Sequence, residues 1–159
     1  MLKSKKGFSL VELIVVIAIM AVLVGVLAPA LMSNVEKSRA QKDDSAMSEV
    51  AHAVELALAD ESIYDEVGTW IGADKDTGII TLNASTGTVS TQLSGTGFTN
   101  LNKELKAQIG ESVKLTSKTH KAGPYYVTVV MKANEAVKVT GSWEAPTATG
   151  AATASNSAG

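Results

Sequence analysis

The chain has no cysteine. No disulfide can form, and no thiolate is present to act as nucleophile or soft metal ligand. Stability outside the cytoplasm would therefore rest on packing alone. Aromatic residues make up 4% of the 159 residues, and none stands between Phe8 and Tyr64. Positive charge is not in surplus either: 14 Lys and Arg against 16 Asp and Glu leave a net charge of −2. Nucleic-acid binding wants a basic stripe or patch, so no nucleic acid is expected among the partners. The two histidines, His52 and His120, lie far apart and in different elements, so each reads as a surface or partly buried residue rather than a ligand. Neither Glu12 nor Glu49 has a second carboxylate in a common cleft. Gly95-Thr96-Gly97 lacks the strand–helix context and third glycine of a nucleotide site. Asp74-Lys75-Asp76-Thr77-Gly78 lacks the third acidic ligand and distant glutamate of a calcium loop and reads as a turn. The sequence thus points to no catalytic residue, no metal and no cofactor: the chain reads as not an enzyme.

What is present is concentrated at the N-terminus. Leu13–Met32 contains no charged residue. As a helix it spans about 30 Å, the thickness of a bilayer's hydrocarbon core. Its Val and Ile are indifferent helix formers in water, but in lipid only a helix satisfies the backbone of a single span. Before it stands Gly7-Phe8-Ser9-Leu10-Val11-Glu12, and before that a leader, residues 1–7, with Lys3, Lys5 and Lys6. Those lysines favour the cytoplasmic side. Glu12 sits at the head of the apolar run, where a charge at mid-bilayer costs about 2.5–3.5 kcal/mol and so asks for a partner. Two plainer readings compete: a secretory signal peptide cut after Ala28-Pro29-Ala30, and a single-span anchor with an accidental glutamate. The charge at Glu12, the length of the run and the helix that follows count against the first.

Past the run, Val35, Met47, Val50, Val54, Ala57 and Leu58 fall at helical steps. Glu36, Lys37, Arg39, Lys42, Asp43 and Asp44 form a mixed-charge, solvated face between them. One helix is expected from Phe8 to about Asp65, stopped at Gly68, about 87 Å long if straight. Pro29 removes a backbone hydrogen bond and crowds the carbonyl of Gly25, so Gly25 and Pro29 make a built-in weak turn.

Short strands are expected at Gly78–Leu82 and Thr88–Leu93, with turns at Asp74–Thr77 and Ala84–Gly87. A helix is expected over Thr99–Ile109, capped by Thr99 or Asn100 and stopped at Gly110. Three consecutive strands follow at Ser112–Ser117, Tyr125–Lys132 and Ala136–Trp143, the last two joined by a hairpin turn at Ala133-Asn134-Glu135. The tail Ala145–Gly159 is rich in small residues and is expected to hang free. The fold class is α+β: a long N-terminal helix, half transmembrane and half amphipathic, packed on a small antiparallel β-sheet head. The divisions are 1–7 leader, 8–32 membrane helix, 33–66 amphipathic continuation, 67–144 head and 145–159 flexible tail.

The stretch Lys6-Gly7-Phe8-Ser9-Leu10-Val11-Glu12-Leu13-Ile14-Val15-Val16 resembles the type III signal of type IV prepilins and related pseudopilins. The resemblance covers residues 5–32 and is loose beyond. It implies that a prepilin peptidase cuts between Gly7 and Phe8 and that the new amine at Phe8 is methylated. It further implies that Glu12 serves assembly and that Pro29 is the family's helix breaker. On this reading the chain is the major subunit of a type IV pilus, assembled through its N-terminal helix. The implied partners are other copies of the chain in a helical filament, prepilin peptidase, the pilus assembly machinery and, before assembly, membrane lipid. The precursor would sit as a single pass in the cytoplasmic (inner) membrane and the assembled form outside the cell. The alternatives are a pseudopilin of a type II secretion or competence system and a monomeric membrane-anchored binding module. Many Gram-negative pilins close a C-terminal loop with a disulfide; this chain cannot, which suggests a Gram-positive or divergent source.

Overall fold

The computed structural model describes residues 7–73, 75–95, 97–121, 123–132, 135–147 and 150–156. The chain divides into two compact units, Met1–Ser38 and Arg39–Gly159. Within its described part, the first unit is a short non-helical lead-in, Gly7–Ser9, and the N-terminal part of helix α1 (Leu10–Ala57, 48 residues). The helix passes through Gly25 and Pro29 without a break. Val35, expected on an inward stripe, is 41% exposed.

The second unit begins inside the same helix. Met47, Val50 and Val54 are almost fully buried, with Ala57 and Leu58 beside them. Burying such a side chain is worth about 1.5–3 kcal/mol each. The expected helix to Asp65 ends earlier, at Ala57. The chain tightens there: Ala59 N–H donates to Leu56 O and Asp60 N–H to Ala57 O, both i→i−3. Asp60 then caps a new helix, α2 (Glu61–Ile71), its carboxylate accepting Ser62 N–H at 2.8 Å. The carboxylate side chain offers the backbone an alternative to continuing the helix. Gly68 is therefore not a stop but an interior residue of α2, and Gly72 (φ 86°) closes the helix.

Among the described residues, seven strands follow the two helices: β1 (Thr77–Leu82), β2 (Ala84–Ser85), β3 (Thr88–Ser90), β4 (Ser112–Lys114), β5 (Tyr125–Val130), β6 (Lys138–Ser142) and β7 (Ala152–Ser155), with helix α3 (Thr99–Gln108) between β3 and β4. They form two sheets, ordered β6-β5-β1-β7 and β2-β3-β4. The three consecutive strands expected in one sheet are split. Val113 of β4 pairs with Val89 of β3, which leaves β5 to pair with β1. The head is not purely antiparallel either: β7 runs parallel to β1. Strand β5 keeps the expected alternation, with Tyr125, Val127 and Val129 inward. Strand β1 is buried at Ile79, Ile80 and Leu82, on both faces. The β2–β3 link is a two-residue hairpin with Thr86 (φ 51°) and Gly87 (φ 79°) both left-handed, the geometry that suits strand twist. Ala133, Asn134 and Asp74, in the two expected turns, lie outside the described residues, as does most of the leader.

The tail does not hang free. Ala152–Ser155 forms β7, and Asn156 is 8% exposed. Composition understates it because its hold comes from backbone pairing and one amide side chain, not from apolar area. Helix α3 is not capped by Thr99 or Asn100. The carboxylate of Glu66, on α2, accepts the N–H groups of Thr99 (2.5 Å), Asn100 (3.0 Å) and Leu101 (3.2 Å). Three unpaired donors and the positive end of the helix dipole favour a carboxylate there, from wherever the fold can supply it.

Candidate functional site

The N-terminal segment holds every residue singled out from the sequence. Ser9 and Glu12 close its helix as a reciprocal cap. Ser9 N–H donates to Glu12 Oε2 at 2.9 Å, and Val11 N–H donates to Ser9 Oγ at 3.4 Å. The Ser-x-x-Glu spacing before an apolar run is the sequence signature of this arrangement. It holds Gly7, Phe8 and Ser9 outside the helix. The Gly7–Phe8 peptide bond therefore lies in accessible, non-helical chain, and Phe8 is 89% exposed.

Two glycines in this segment have no cause within the chain. A Cβ built on Gly7 or on Gly25 would meet nothing within 4 Å, and neither backbone is left-handed. Folding of the isolated subunit does not require glycine at either place.

The face this helix offers is apolar all round. The large hydrophobic residues from Leu10 to Met32 are exposed by half or more with the single exception of Val16 at 45%. The helix is long and apolar enough to cross a membrane. Exposed apolar surface on this scale marks a contact with lipid or protein. Glu12 is the one acidic residue in its first turn.

In the second unit the structure assembles polar groups that sequence reasoning missed. Asp43, read as part of a solvated face, is 1% exposed. Its carboxylate accepts Thr116 N–H (2.8 and 3.1 Å), Thr116 Oγ1–H (3.1 Å) and Ser117 N–H (2.7 Å). Burial pushes its pKa up, but the bonds from the Ser117 hydroxyl and amide and from Thr116 outweigh burial and hold it below the usual carboxylate range. Its neighbour Asp44 accepts Trp143 Nε1–H at 2.7 Å, and His120 stacks on Trp143 with ring centroids 4.0 Å apart. Burial raises the Tyr125 phenol above its ordinary value, despite a hydrogen bond with Ser48. His52 is exposed beside Glu55. No spacing rule would have flagged Asp43, since the carboxylate's partners lie over seventy residues away. These groups fasten the head together; Asp44, Ser48, Tyr125 and Trp143 also line one open pocket, of about 390 Å³.

The comparisons bear on the N-terminal segment. Residues 2–28 match the family described as the prokaryotic N-terminal methylation motif. The chain is 36% identical over 64 residues to prepilin peptidase-dependent protein A of Clostridium perfringens, covering 40% of this chain and 46% of that protein. It is 37% identical over 62 residues to type II secretion system core protein G of Klebsiella michiganensis, covering 39% of this chain and 44% of that one. The chain thus spans somewhat under half the length of these relatives. No solved structure matches it at a significant level.

Proposed function

From the premise that this chain carries the prokaryotic methylation motif and belongs with the pilin-like and pseudopilin proteins, we propose that it is the major subunit of a type IV pilus. It is made as a membrane precursor, cut between Gly7 and Phe8, methylated at Phe8 and stacked into a helical filament outside the cell. The observation that carries the reading is the exposed apolar helix Leu10–Met32 headed by a lone carboxylate. A single subunit has no means to cover that surface; lipid covers it first and copies of the chain afterwards.

The physical chemistry of that transfer assigns the roles. Moving an apolar helix from lipid into a helix bundle gains no hydrophobic energy, because lipid is already apolar. Packing, small residues and polar contacts must then choose the register. Gly25 permits close approach. Pro29, one turn further along the same face, weakens that turn, which can open where neighbours cover the freed carbonyl. Cutting at Gly7–Phe8 creates an ammonium group one residue before Ser9. In the uncut chain Glu12 accepts from Ser9 N–H; in the filament it takes the Phe8 ammonium of an adjoining subunit. Such a pair sets register more than it adds stability, whereas leaving either charge alone in an apolar core costs about 3–5 kcal/mol.

A second reading is favoured by the likeness to a type II secretion core protein: the same subunit building a short pseudopilus. Both share processing and packing and differ in filament length. The experiment is intact-mass measurement of the surface protein together with electron microscopy. The proposal expects a methylated N-terminus at Phe8 in long filaments, and a retained precursor for Gly7→Val. A mature N-terminus at Leu31 overturns it.

A further inference from the structure

The route by which the chain reaches β7 leaves that strand loosely tied to its own head. Strands β6 and β7 lie at opposite edges of the four-stranded sheet. Both run parallel to β1, since β6 opposes β5 and β5 opposes β1. The registers put Val139 level with Gly78 and Ala152, and Ser142 level with Thr81 and Ser155. Leaving Ser142, the chain must step back by three residues and cross three inter-strand spacings, about 18 Å in a straight line. The stretch 143–151 can reach roughly 33 Å. Trp143 is anchored through Asp44. Beyond it, among the described residues of the stretch, none is buried.

The slot that receives β7 is the opposite: specific and polar. Asn156 N–H donates to Thr81 O at 3.1 Å, and Ser94 N–H donates to Ser155 O at 2.9 Å. The Asn156 side chain donates to Asn83 O (2.9 Å) and Ser90 O (3.3 Å) and accepts Asn83 N–H (2.9 Å). The slot therefore lies where the two sheets meet, and several of its backbone groups are satisfied only when a strand is present. What fills it buries just Ala152 and Asn156. With no cysteine in the chain, no covalent link fastens the segment to its own head. Recognition by main-chain bonds and one amide does not distinguish which copy supplies the strand.

We infer that this slot also accepts the 151–156 segment of a second copy of the same chain, so that neighbouring subunits exchange β7. The hydrogen bonds are the same in both forms. Only link geometry and local concentration choose between them. The chain's own strand competes at a millimolar effective concentration, and a neighbour's strand becomes competitive where copies are held side by side with the slot within about 33 Å of the donor's Ser142. The inference needs adjacent copies and no particular filament, so it stands apart from the pilus reading.

The test uses the full chain in cells. Thr81 and Ser155 face each other in register. Two singly substituted chains, Thr81→Cys and Ser155→Cys, are co-expressed, mildly oxidised and run on a non-reducing gel, with the linked peptides identified by mass spectrometry. Exchange yields a dimer joined between the two different positions. The doubly substituted chain reports closure within one subunit. Ile79→Cys with Thr153→Cys repeats the test at a second register pair. Absence of a mixed dimer at both pairs overturns the inference, whether or not filaments form.

Discussion

Replacing Asp43 with alanine removes the carboxylate that joins helix α1 to the segment after β4. Two backbone N–H groups, of Thr116 and Ser117, end on it, together with the hydroxyls of both residues. The hydroxyls can turn elsewhere, but the N–H groups cannot. A buried donor left without an acceptor costs about 1–3 kcal/mol, so the pair costs about 2–6 kcal/mol. At 1% exposure, water cannot take the oxygen's place without moving the segment. Against a total stability of about 5–15 kcal/mol the loss is severe, and it lowers the melting temperature by roughly 10 °C. Asp43→Asn retains one acceptor oxygen but turns an NH₂ group toward donors, so about half the loss is expected.

The same site sets an acid dependence. The folded pKa is depressed, so the unfolded chain binds the proton more tightly. The stabilisation is complete above the unfolded value of about 3.9 and is lost as pH falls through the lower folded value. The unsubstituted protein therefore loses stability below about pH 4, and Asp43→Asn lacks that part of the slope. Thermal melts of the full chain in detergent, read by the fluorescence of Trp70 and Trp143, check both effects. A melting temperature for Asp43→Ala within about 2 °C of the unsubstituted protein, or an unchanged acid slope in Asp43→Asn, refutes the reasoning.

Glu12→Val should insert and be cut normally, because it removes a costly group and leaves Gly7 and Phe8 intact; normal filament numbers by microscopy, beside normal processed subunit on a blot, would show that Glu12 has no role in assembly. Glu66→Ala should cost about 1–2 kcal/mol through the uncapped start of α3, with Glu66→Gln costing less, read from the same melts. Deleting residues 147–159 should lower the melting temperature by several degrees, roughly 2–4 kcal/mol, since Asn83 and Ser90 lose the bonds that Asn156 makes to them; an unchanged melt would mean the strand contributes nothing.

The N-terminal segment was legible from sequence because its determinants are local. A lone carboxylate and an apolar run need only their own neighbours to be recognised, and the exposure of the run in the structure follows from that pattern; the Ser9–Glu12 cap was spelled in the same residues but was seen only in the structure. The strands at Thr77–Leu82 and Tyr125–Val130 and the helix α3 were legible for the same reason. Pairing was not. Residues 112–114 pattern as a strand with or without β5 beside them, and only the competing partner β3 decides their sheet. The end of α1 at Ala57 was marked by Asp60, but an apolar stripe that continued past it masked the cap.

The sequence by itself determined a membrane-length apolar helix and the place of one carboxylate at its head, because each is a property of contiguous residues. Tertiary structure alone decided that Asp43 is buried, that Glu66 caps a helix other than its own, and that a tail of small residues becomes a strand. In all three cases the partner lies at least thirty-three residues away. A polar group's worth depends on whether water or protein completes its hydrogen bonds, and only the packed chain settles which.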